Sequence, residues 1–138
     1  MGVGPNYVLS KGFLAQTPVT AYAKGLLVIQ GTVEQSVITL SAASSLVPFG
    51  VIADDIDATK IATGKAIIGI DLLGISRVKC GGVVTKGDRI TNDSTSRGIT
   101  QARTAGASQP QPVFGIALTT TTAANQFFDM LLTPGACY

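Results

Sequence analysis

The side chains best suited to chemistry are Cys80, Cys137 and the acidic run Asp54-Asp55-Ile56-Asp57, and none has the company that chemistry needs. The chain contains no histidine, which removes the commonest general base and the commonest metal ligand. A nucleophile would have to be a cysteine, or a serine activated by lysine or a carboxylate. Cys80 precedes Gly81-Gly82, where a small residue beside a turn is the simpler account. In the acidic run Asp55 and Asp57 alternate as calcium ligands do, but the central glycine and distal glutamate of a calcium loop are missing. The run reads as a solvated loop. Gly64-Lys65 lacks both the upstream glycine spacing and the following hydroxyl residue of a phosphate-cradling loop. No catalytic, cofactor-binding or metal-binding residue is assigned. The expectation is a protein that is not an enzyme and has no cofactor.

Composition points the same way. Only 13% of the 138 residues are charged, about half the usual share for a soluble domain. Mean hydropathy is nonetheless +0.40. The longest uncharged run lies within residues 36–53, and Ser41, Ser44, Ser45, Pro48 and Gly50 break it as loop punctuation does. No membrane span is expected. Net charge is +2, too weak to imply a nucleic-acid partner. The closest basic pair, Arg77 and Lys79, would share one solvated strand face. The two cysteines allow one disulfide without arguing for it, and residues 1–7 lack the pattern of a signal peptide. A surface so poor in charge guards weakly against association. Burial against copies of itself, or within a larger assembly, is the simplest resolution.

The elements are short β-prone runs separated by Gly, Ser, Asn, Asp and Pro. Strands are expected at 15–21, 26–30, 37–40, 50–53, 66–70, 75–79, 89–91, 98–101, 113–118 and 127–132. Residues 41–46 and 122–126 could each make one helical turn, too short to nucleate alone. The second half reads as a worn copy of the first. Lys24-Gly25 matches Lys86-Gly87, Ile38-Thr39 matches Ile99-Thr100, and Phe49-Gly50-Val51 matches Phe114-Gly115-Ile116, at offsets of 62, 61 and 65. An internal duplication and generic hairpin chemistry would both produce such a match. The class is mainly β: one compact barrel-like or sandwich-like domain over 13–138, with halves 13–79 and 80–138. Two β-meanders closing one core would fit it. Residues 1–12 read as an extended N-terminal arm.

The run from Gly81 to Asp93 (GGVVTKGDRITND), then Gly98-Ile99-Thr100, then Phe114-Gly115-Ile116-Ala117-Leu118, resembles the C-terminal half of tailed-phage capsid cement proteins. In that family a G-x-x-V-x-x-G-D-x-[VI]-x-x-D hairpin and a short G-[IT]-T strand precede an alanine-rich loop and a [IVF]-G-[IV]-A-[LV] strand. Residues 102–112 fill the loop's place, and residues 127–132 look like the closing strand. The match covers residues 80–132 well and 13–79 loosely. Thr119–Thr122 stand where the family more often has a charged or glycine-containing turn.

The resemblance implies a β-rich decoration subunit, a homotrimer, made in the host cytoplasm and placed on the outer capsid surface of the virion. Its partners would be itself and the major capsid protein, with no nucleic acid and no membrane. The arm is suited to add as a strand to a capsid sheet edge, with Val3, Tyr7, Val8 and Leu9 as capsid contacts. A disordered tail without a role is the alternative. The competing function is a virion or surface module that binds a carbohydrate or receptor. Sugar sites stack tryptophan or tyrosine on the ring. This chain has no tryptophan, and Tyr7, Tyr22 and Tyr138 lie in or near the termini.

Overall fold

The computed structural model describes residues 8–16, 22–39, 48–56, 58–102 and 111–137. Among them are nine strands and one short helix: β1 (Leu9–Ala15), β2 (Leu27–Gln30), β3 (Ser36–Thr39), β4 (Gly50–Ile52), α1 (Ala58–Ala62), β5 (Ile67–Lys79), β6 (Arg89–Asn92), β7 (Gly98–Thr100), β8 (Gln111–Ala117) and β9 (Phe127–Cys137). Strands this short cannot bury an apolar face while leaving their edges open. Closure is the solution adopted. The order β1-β3-β2-β4-β5 returns to β1, because β1 pairs with both β3 and β5. Alternation aims one side of each strand inward, so that Phe13, Val28, Val37, Ile52, Ile68 and Ile70 form the core of this first barrel. Tyr22 joins them and donates its hydroxyl to the Gln16 and Val37 carbonyls at 2.8 and 3.0 Å.

The rest of the chain builds the same object again. Strands β9, β8, β6 and β7 continue from the C-terminal half of β5, and a parallel bridge between Cys80 and Gly98 brings β7 back beside the end of β5. Register makes the duplication explicit. The pairs Val28↔Thr39 and Ile29↔Ile38 recur as Ile90↔Thr100 and Thr91↔Ile99. Leu27↔Val51 and Val28↔Gly50 recur as Arg89↔Ile116 and Ile90↔Gly115. Ile52↔Ile70 recurs as Ala117↔Met130, and Phe13↔Ile68 as Val78↔Phe128. Even the parallel contact Ala15↔Val37 has its counterpart in Cys80↔Gly98. Chance hairpin chemistry would not reproduce every pairing. The chain holds two pseudo-repeated β units.

The barrels are packed on each other. Leu27 and Val51 alternate with the inward-facing Val28 and Ile52 of the first barrel, and they join the core of the second beside Val78, Ile90, Phe114 and Phe128. Two backbone bonds tie the joint: Lys79 N–H donates to the Gly25 carbonyl at 2.9 Å, and Leu27 N–H to the Ser96 carbonyl at 2.7 Å.

Several expectations need correction. The first strand was expected at 15–21; β1 begins at Leu9 and ends at Ala15, and residues 17–21 lie outside the described residues. Ser10, Lys11 and Gly12, read as arm, pair with Asp71, Ile70 and Gly69. That pairing joins residues some sixty positions apart, beyond the reach of a local pattern. The separate strands expected at 66–70 and 75–79 are one 13-residue strand, which passes through Gly74 at φ 98°. The turn expected to be helical at 122–126 is not helical. There the Gln126 side-chain oxygen accepts the Thr122 N–H at 2.9 Å, which holds a loop instead. Helix α1 was not anticipated, since five residues are too few for periodicity. The turn expected at 41–46 falls within 40–47, outside the described residues.

One pair of glycines tests the joint. Gly25 and Gly87 occupy equivalent turns at φ 86° and 94°. A Cβ on Gly25 would lie 2.7 Å from the Phe127 ring and 3.1 Å from the Lys79 nitrogen, whereas one on Gly87 would meet nothing within 4 Å. Gly87→Ala should therefore cost about 1 kcal/mol from left-handed backbone strain alone. Gly25→Ala should cost about 2–4 kcal/mol, because strain and collision add. Urea unfolding of both variants checks the difference.

Candidate functional site

The residues first considered for chemistry are dispersed. Cys80 is a buried free thiol inside the second barrel and donates to the Ala123 carbonyl at 3.1 Å. No base adjoins it in that apolar setting. The side chain of Cys137 and residue Asp57 lie outside what the structure describes. Asp55 accepts the Lys24 N–H at 2.9 Å, and so serves a turn. Asp54 and Asp55 share an open hollow of about 410 Å³ with Lys60, Thr63 and Lys65. Its charges are of both signs, which suits neither a cation nor an anion. Among the described residues no three His, Cys, Asp or Glu side chains are grouped to hold a metal. Tyr22 cannot stack on a sugar, since it is 3% exposed and its burial pushes the phenol up to about 12.

The most ordered polar constellation is a turn. Asp93, between β6 and β7, accepts N–H groups from Thr95 and Arg97 at 2.9 Å each. It also takes the Thr95 hydroxyl at 3.0 Å and the Arg97 Nε at 2.8 Å. Burial alone would raise this carboxyl, but these donors prevail and hold it below the usual aspartate value. Arg97 reaches on to the Asn125 side chain at 3.1 Å, tying this turn to the loop before β9.

What the fold does assemble is an apolar outer face on the second barrel. Ile75 lies opposite Leu131, and Leu131 opposite Ile116, across three adjacent strands. All three are exposed, and Arg89 follows next to Ile116. Farther along, Arg77 and Asp129 form an ion pair at 3.8 Å between largely exposed side chains, worth well under 1 kcal/mol. Lys24, Arg77 and the exposed Phe127 line a shallow hollow there. A second exposed apolar pair, Leu9 opposite Leu73, stands where β1 begins. Of the four expected capsid contacts, Leu9 is 54% exposed at the start of β1 and Val8 is half-buried just before it. Val3 and Tyr7 lie outside the described residues. Sequence reasoning missed the Ile75–Leu131–Ile116 row because it is defined only across strands. The signal was there in part, as alternating apolar residues within each of the three runs.

No protein-family model and no curated protein matches the chain by sequence. A solved structure does match in shape: the N base of head fiber gp8.5 of bacteriophage phi29, with a TM-score of 0.62 over 96% of this chain and 99% of that one. The two chains share a fold. Identity is 16%, so the likeness is one of fold rather than of side chains. It spans both barrels of this chain.

Two measurements check these assignments. The depressed Asp93 carboxyl stabilises the fold fully above its unfolded value near pH 4, and that stability is lost as pH falls through the lower folded value. Asp93→Asn should therefore destabilise by about 1–2 kcal/mol at pH 7, and the gap to wild type should close under acid, by thermal melts across pH. Millimolar calcium should leave the melting temperature unchanged, because no three acidic side chains are grouped as ligands among the described residues.

Proposed function

We propose that this protein is a structural component of a phage virion, carried on the head as a homotrimer and attached to the major capsid protein at the outer surface. The observation that carries the reading is the full-length likeness to the phi29 head-fibre base, which extends over both barrels. Three features of the chain support it. Its charged residues are few. Its titratable side chains hold turns rather than a reactive centre. Its exposed surface carries cross-strand apolar pairs, which suit a standing contact with another protein. The resemblance of residues 80–132 to capsid cement proteins adds a role in which the subunit clamps neighbouring capsid proteins.

Attachment through the N-terminal arm belongs to the same reading. Leu9 and Leu73 form an exposed apolar pair at the point where the arm enters β1. Val3, Tyr7 and Val8 precede it in an uncharged stretch. Pairing within the barrel begins at Leu9, so docking through residues before it would leave the barrel undisturbed.

Labelled protein added to heads that lack it should decorate them at regular lattice positions, seen by cryo-electron microscopy. Deleting residues 2–8 leaves the paired part of β1 in place, so folding and oligomer mass should be kept while decoration is lost. Saturation of heads by the truncated protein at wild-type affinity would move the attachment to the barrels. Failure of the intact protein to bind any head would remove the reading.

A further inference from the structure

The duplication leaves one surface used and its counterpart unused. Within the chain, the first barrel meets the second through Leu27 and Val51, through Gly25 beneath the Phe127 ring, and through the Ser96 carbonyl that accepts the Leu27 N–H. Strand register names the equivalent of each. Leu27 and Val51 correspond to Arg89 and Ile116. Gly25 corresponds to Gly87, since their N–H groups donate to the last carbonyls of β4 and β8, those of Ile52 and Ala117. Phe127 corresponds to Ile67, as both lie where β9 and β5 begin and pair with Lys79 and Leu14. Ser96 corresponds to Gln35, each a non-glycine residue at positive φ in the turn before β7 or β3.

All five counterparts are exposed. Ile67, at 64%, is the most exposed large apolar side chain among the described residues. The turn at Gly87 has open space where Gly25 has the Phe127 ring. One half of the joint (Gly87, Arg89, Ile116) lies on the second barrel, and its complement (Ile67, Gln35) lies on the first.

We infer that these two surfaces bind each other between copies of the chain, the second barrel of one copy packing on the first barrel of the next as the two barrels pack within a copy. Charge agrees with this pairing. Leu27 meets Ser96 inside the chain, so Arg89 comes to Gln35 of the neighbouring copy and to the exposed carboxylate beside it, Glu34. Ile67 then covers the turn at Gly87 as Phe127 covers Gly25. The two surfaces differ, so the contact is heterologous, and the homotrimer proposed above is the ring in which it would close. The inference deepens the homotrimer proposed above, and only the number of copies in the ring rests on that reading.

A charge exchange tests it on purified full-length protein by light scattering. The wild type should show a mass several times 14.1 kDa. Arg89→Glu and Glu34→Arg should each fall to the monomer mass, with unchanged far-ultraviolet circular dichroism, and the double variant should recover the oligomer. Ile67→Asp should also give a monomer, with no change at the joint inside the chain. A monomeric wild type, single variants that keep the wild-type mass, or a double variant that fails to recover would each overturn the pairing. No phage particle enters this experiment, so an oligomer that passes it but never binds a head would refute the virion reading alone.

Discussion

Strand β5 is the constraint on which the structure depends. Its first half closes one barrel between β1 and β4, and its second half carries β9 and so opens the other. Neither barrel owns a complete set of strands without it. The changeover falls at Gly74, where φ of 98° lets the strand turn its faces. Asp71, just before it, accepts the hydroxyls of Ser10 and Ser76, one from β1 and one from the second half of β5 itself. One carboxylate thus joins the start of the first strand to the handover between barrels.

Closure explains how so apolar a chain presents a manageable surface. Open strand edges are the usual route by which β-rich proteins add to one another. Here the end of β1 pairs with both β3 and β5, and β5 in turn pairs with both β1 and β4 within the chain. Side chains on faces such as Ile75–Leu131–Ile116 are left as surfaces through which association can proceed. An assembly built by faces has a defined geometry.

The repeat has diverged where its two copies meet different surroundings. Core positions keep their character: Phe13, Ile68 and Ile70 correspond to Val78, Phe128 and Met130. At the joint the apolar Leu27 corresponds to the charged Arg89. Asp71, engaged with two serines, corresponds to the exposed Leu131. Interiors constrain volume and polarity alike, whereas outer faces answer only to whatever they touch.

Much of this was legible from local pattern. Strands β2, β3, β4, β6, β7 and β8 came from short apolar runs between turn residues, because turn chemistry and alternation act over a few residues. The matches around Gly25 and Gly87 left duplication and generic hairpin chemistry both open until the strand register decided it. What local pattern could not show was which strands pair. The continuity of β5 through Gly74, the recruitment of Ser10–Gly12 into β1 and the row Ile75–Leu131–Ile116 all arise from contacts between residues far apart in the chain. Those contacts form only when two barrels close around one shared strand. Alternation along a strand says that one face is covered and the other is not. Only closure in three dimensions decides which face of Leu27 meets a barrel and which face of Ile116 is left open.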